Sequence, residues 1–116
     1  MKKMMTIKDQ NEWEMIKKDS TGFRQVVLFK YSPRCAGSQL SRYMFERWFG
    51  KLNENEKIIC AKINVIDSRK LSNSIAEEFS VEHESPQVIW LDLNGSLKWH
   101  NSHFLITEDA LTTLLN

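Results

Sequence analysis

Cysteine, proline and glycine are all scarce in this sequence: its 116 residues hold two, two and four of them. Two cysteines cannot make a disulfide-dense scaffold, and so little proline and glycine excludes a collagenous or low-complexity chain. No apolar run approaches the roughly 18–20 residues that a membrane helix needs. An excess of one charge is missing too, with 16 Lys and Arg against 15 Asp and Glu. A nucleic-acid or anionic-membrane partner would favour a strongly basic face, so neither is expected. The opening stretch MKKMMTIKDQ carries the pair Lys2-Lys3 near its start but no apolar segment behind it, unlike a signal peptide. The expected location is therefore the reducing cytoplasm, where cysteines serve thiol chemistry or simple burial rather than a structural disulfide. No linker, repeat or low-complexity tract divides the chain, and residues 1–116 read as one domain. What is present suffices for a core: 41% of residues are hydrophobic and 10% aromatic.

Apolar periodicity divides that domain into elements. Thr6 followed by Asp9 resembles a capping box, opening a helix that buries Trp13 and Ile16, runs to about residue 19 and ends at Thr21-Gly22. Residues 25–31 (QVVLFKY) read as a strand, and the solid run Val26 to Phe29 points to burial on both faces at the centre of a sheet. Ser32-Pro33 breaks it. A helix follows from about Cys35 to Phe49, with Leu40, Met44, Phe45, Trp48 and Phe49 at helical spacing and Gly50 as C-cap. Residues 58–65 form the next strand, and Asp67 or Ser68 caps a helix carrying Leu71, Ile75 and Phe79. Pro86 opens a third strand, 87–93, which Asn94-Gly95 turns through a type I′ hairpin into a fourth, 96–100. Thr107 caps a last helix with Leu111, Leu114 and Leu115 inward. The order α-β-α-β-α-β-β-α combines a right-handed β-α-β crossover with a closing antiparallel hairpin. It is the order of the thioredoxin/glutaredoxin fold: a four-stranded mixed sheet flanked by helices, with an extra N-terminal helix.

Cys35 follows a strand, a breaker pair and Arg34, and it starts a helix. The positive end of the helix dipole, unpaired backbone N–H groups and the neighbouring cation all favour a thiolate, the nucleophilic form. Ser38 stands three residues on, where a dithiol enzyme would carry its second cysteine. A hydroxyl there can hydrogen-bond the thiolate but cannot resolve a mixed disulfide, so the expected chemistry is monothiol. Cys60 lies mid-strand, roughly 16 Å from the strand's reactive end, whereas a disulfide needs Cα atoms within about 7 Å. It reads as buried and inert. In this fold the strand-opening Pro86 is expected to be cis, presenting the Ser85 backbone to substrate. His100 and His103 have a suggestive spacing but no neighbouring ligands; with His83 they read as surface or hydrogen-bonded residues, and no metal site is expected. Trp13, Trp48, Trp90 and Trp99 read as packing residues.

Three stretches carry a family likeness: Ser32-Pro33-Arg34-Cys35-Ala36-Gly37-Ser38; Leu71 to Ala76 running on to His83-Glu84-Ser85-Pro86-Gln87; and Trp99-His100-Asn101-Ser102-His103 with Ile106-Thr107. In these the sequence resembles the monothiol bacilliredoxins over nearly its whole length. The resemblance implies strand order 2-1-3-4 and a cytoplasmic, stress-response protein that removes bacillithiol from mixed disulfides on other proteins. It makes Cys35 the nucleophile and Pro86 the cis-proline. Arg34 and Ser38 are expected to support the thiolate, with Ser85 and Pro86 binding substrate. The expected co-substrate is a low-molecular-weight thiol of the bacillithiol type and the partners are S-thiolated proteins; no bound cofactor is expected, and a monomer is. One feature departs from the family pattern: its usual Cys-Pro-Ile-Ser is here Cys-Ala-Gly-Ser. Two other readings compete, a thioredoxin-fold module that binds peptides without turnover and a glutaredoxin-like iron–sulfur carrier.

Overall fold

The structure, a computed structural model, describes residues 4–115. Lys2 and Lys3, the lysine pair near the start of the opening stretch, lie outside the described residues. The elements run β1 (Met5–Thr6), α1 (Gln10–Ser20), β2 (Gln25–Tyr31), α2 (Ala36–Gly50), β3 (Ile58–Asn64), α3 (Arg69–Phe79), β4 (Gln87–Leu91), β5 (Leu97–Ser102), a 3₁₀ turn (His103–Leu105) and α4 (Glu108–Thr113).

The sheet has five strands in the order β1-β3-β2-β4-β5. Its four long strands keep the expected order, and β2 is central. The fifth strand is Met5–Thr6, which pairs in parallel with Ala61 and Lys62 on the outer edge of β3. Thr6 is thus a strand residue rather than a helix cap. The α1 cap is Asp9, whose carboxylate accepts from the Glu12 N–H at 2.9 Å, while Glu12 reaches back to the Lys8 N–H at 2.7 Å. The capping chemistry stands three residues beyond the expected start, which frees Thr6 to extend the sheet.

Side chains alternate across β2, so its solid apolar run serves two cores. Val26 and Leu28 meet Trp13 and Ile16 of α1 and Leu71 and Ile75 of α3. Val27, Phe29 and Tyr31 meet Phe45, Trp48 and Phe49 of α2 and Leu111 of α4. Leu40, expected inward, is 73% exposed. Five residues separate it from Phe45, which rotates it about 140° from the buried stripe. Gly50 is the last helical residue of α2, and the cap is Lys51, whose N–H bonds the Arg47 carbonyl.

The β4–β5 hairpin also differs from the expected type I′ turn. Gly95 is at φ +82° while Asn94 is not left-handed, so the two-residue turn is not made. Asp92 organises the loop instead. Its N–H bonds the Ser96 carbonyl, its carbonyl accepts from the Gly95 N–H, and its carboxylate accepts from the N–H groups of Asn94 and Ser96. This is a three-residue loop closed by a left-handed glycine. β4 consequently stops at Leu91, two residues early, and β5 runs on to Ser102.

Candidate active site

The C-terminal ends of β2 and β3 and the start of β4 lie at the same end of the sheet, and the reactive residues gather there. Chain direction changes sharply after Tyr31. The Ser32 hydroxyl accepts from the Arg34 N–H at 3.3 Å, and the Ser32 carbonyl accepts from the Cys35 N–H at 3.3 Å. The turn leaves Cys35 in extended backbone as the N-cap of α2, exposed, with its thiol free. Its sulfur lies back over the first turn, since a β-carbon on Gly37 would stand 3.8 Å from it. No acidic residue occupies that turn. The sulfur therefore faces the unpaired N–H end of a 15-residue helix, an environment that favours negative charge. Cys60 is fully buried in β3.

Ser38 has other partners than the sulfur. It is buried, its hydroxyl accepts from the Ser32 N–H at 3.2 Å, and it shares a hydrogen bond with the Ser85 hydroxyl at 3.3 Å. It pins the first turn of α2 both to the end of β2 and to the segment that enters β4. Arg34 is exposed beside Cys35 in sequence, its side chain at the surface.

The Ser85–Pro86 peptide bond is cis. Pro86 is buried, and its carbonyl accepts from the His103 N–H at 3.1 Å, where the chain turns through φ +55° after β5. Among the described residues the Ser85 backbone N–H and carbonyl have no main-chain partner. The segment is braced outside by Glu84, which accepts from the Ser102 hydroxyl at 2.8 Å and approaches the His103 imidazole at 3.3 Å. It is braced inside by the Gln87 amide, which donates to the Glu82 carbonyl at 2.9 Å.

A feature that the sequence reading passed over lies directly beneath. Lys30 of β2 is 0% exposed, and its ammonium donates to the Ser72 carbonyl of α3 at 3.0 Å and stands 3.5 Å from Nδ1 of His83. The Ser72 hydroxyl lies 3.2 Å from the same nitrogen. Burial pushes Lys30 down to about 8. Burial, and then the cations Lys30 and Arg69, hold His83 below the usual histidine range, with Glu84 opposing. The signal for it in the sequence was one lysine directly after the apolar run Val26 to Phe29. His100 is exposed, and among the described residues no three His, Cys, Asp or Glu side chains gather to hold a metal ion. Exposed apolar side chains stand on two neighbouring elements: Leu40 and Tyr43 on α2, and Phe104 and Leu105 on the 3₁₀ turn that packs against α2. No helix among the described residues is long and apolar enough to cross a membrane.

Known proteins agree with this geometry. One solved structure, described as having a thioredoxin fold, superposes with a TM-score of 0.84 at 22% identity, covering 97% of this chain and 94% of the other. Fasciola hepatica thioredoxin gives 0.74 at 17% identity over 97% and 96% of the two chains. Malassezia sympodialis thioredoxin gives 0.72 at 15% identity over 99% and 90%. The fold is that of thioredoxin. Residues 5–111 match the sequence profile of the monothiol bacilliredoxin BrxC family. With one exposed cysteine capping α2 and a serine in place of a second, the chain belongs to the monothiol bacilliredoxin BrxC family.

Proposed function

We propose that this protein is a monothiol thiol–disulfide oxidoreductase that strips a low-molecular-weight thiol from S-thiolated proteins. The observation that carries the reading is the exposed Cys35 at the start of α2, a helix whose first turn Ser38 joins to Ser85, a residue without main-chain partners among the described residues. In the first step the Cys35 thiolate attacks the small-thiol sulfur of a protein mixed disulfide. The old S–S bond breaks, the client leaves as a thiolate that takes a proton, and Cys35 carries the small thiol as a new disulfide. A second small thiolate then attacks that adduct, giving the symmetric small disulfide and free Cys35. Over the cycle the client sulfur is reduced as the sulfur of the second small thiol is oxidised, so no bound redox cofactor enters it.

In-line attack needs the mixed disulfide held in orientation. Ser85 is suited to this through its N–H and carbonyl, which can pair with an extended cysteinyl ligand in the manner of an added strand. Arg34 supplies charge for the carboxylates of an anionic thiol such as bacillithiol. A reducing cytosol would supply the second thiol. The test is mass-resolved transfer from a bacillithiolated peptide in the wild-type protein and in Arg34→Ala. Transfer to Cys35, weakened by Arg34→Ala most at low salt, is expected, because an exposed charge is screened over about 8 Å at physiological ionic strength. Failure of the wild-type protein to capture the thiol would leave a non-catalytic peptide-binding module as the better reading.

A further inference from the structure

Lys30 is the buried charge of the middle strand. Its strand neighbours Val26, Val27, Leu28, Phe29 and Tyr31 are all buried apolar or aromatic residues. A buried ammonium is costly unless an anion pairs with it. Here its partners are a backbone carbonyl and an imidazole nitrogen, and no carboxylate pairs with it among the described residues. A methionine would fill the slot without that cost, so the role of the cation lies in what it holds.

What it holds is the segment carrying Ser85. Three buried polar side chains from three elements converge on residues 82–87. Lys30 of β2 reaches His83, Ser72 of α3 reaches the same imidazole, and Gln87 of β4 holds the Glu82 carbonyl. Lys30 and Gln87 are directly opposed across the β2–β4 ladder, so both point to the α3 side. From the other side Ser38 joins Ser85 to the helix that Cys35 caps. We propose that Lys30 is a positioning residue for thiol exchange, fixing the 82–87 segment from inside the fold so that the Ser85 backbone stays set beside the Cys35 sulfur. This inference rests on the exchange function proposed above.

The bonding pattern assigns the protons. An ammonium has donors only, so Nδ1 of His83 accepts, and the neutral ring carries its proton on Nε2. Arg69 and Glu84 are the other charges bearing on that imidazole, one reinforcing the neutral state and one opposing it. Because burial lowers Lys30 to about 8, its cationic donor is lost just above neutrality, and the hold on His83 weakens there.

The experiment compares two rates at Cys35 from pH 6 to 9.5 in the wild-type protein and Lys30→Met. One is capture of bacillithiol from a bacillithiolated peptide, which needs the Ser85 segment. The other is alkylation by iodoacetamide, which needs only the thiolate. Lys30→Met is expected to slow capture about tenfold or more at pH 7 while alkylation stays within about twofold. In the wild-type protein the ratio of capture to alkylation should fall above pH 8, with no such fall in Lys30→Met. Equal capture in both proteins, or capture and alkylation falling together, would overturn the inference and leave the exchange function standing. Should Lys30→Met not fold, the wild-type ratio decides alone, and a flat ratio through pH 8 overturns it. Absence of capture in the wild-type protein is the separate failure of the exchange reading, and it overturns the inference with it.

Discussion

Cys35 caps a helix in water and Cys60 sits mid-strand at 0% exposure, so their replacement should separate function from packing. Cys35→Ser is expected to abolish thiol capture with little change in melting temperature. Cys60→Ala should keep capture and cost about 1 kcal/mol of stability, read in a denaturant titration. Gly37 tests the departure from Cys-Pro-Ile-Ser. A β-carbon there makes only ordinary contact with the Cys35 sulfur, so Gly37→Ala should gain up to about 1 kcal/mol of helix stability and keep the thiol reactive. Lys30 gives a pH signature. Its value in the folded protein is about 8 against an ordinary 10.5, so between those pH values the unfolded chain binds more protons and stability rises with pH. A shift of that size corresponds to about 3 kcal/mol carried as a penalty at pH 7. Unfolding free energies measured at pH 7 and 10 should show this rise in the wild-type protein and lack it in Lys30→Met. Of these residues Cys35, Ser85 and Pro86 were legible in the sequence because breaker pairs and a helix start fix their places. Lys30 was not, since a strand pattern does not say which interior polar side chain finds partners 42 and 53 residues away.

At the scale of the element, boundaries depended on side chains that satisfy backbone groups. Eight helix and strand segments were legible in the sequence, but Met5–Thr6 was not, because a two-residue strand has no period to read. Its recruitment depends on α1 starting at Asp9. Asp9→Ala should therefore cost about 1 kcal/mol through the lost cap, and hydrogen exchange should speed up at the start of α1. Asp92 plays the matching part in the hairpin, where its carboxylate fixed a loop that the Asn94-Gly95 pair alone suggested would be tighter. Leu40 shows the same limit on a helix: counted from Met44 it continues an apolar stripe, and only docking against Phe29 through Phe45 settles which stripe is buried.

At the scale of the molecule, two cores lie on either face of one sheet and serve different ends. The layer under α2, with Phe45 stacked on Phe29 at 4.9 Å, sets where the helix start and its cysteine stand. The layer under α1 and α3 carries Lys30 at its upper edge and supports the Ser85 segment. The fold was readable because element order and a two-sided central strand leave few topologies that bury both faces. Phe45→Ala is expected to cost about 3–5 kcal/mol and to loosen the α2 start along with the core. The central claim is that Cys35 takes the small thiol half of a mixed disulfide, and intact mass with peptide-level localisation tests it directly. After incubation with a bacillithiolated protein, one adduct of the mass of the small thiol should appear on Cys35, disappear on adding free thiol, and be absent in Cys35→Ser. No adduct, or an adduct that persists in Cys35→Ser, would contradict the account.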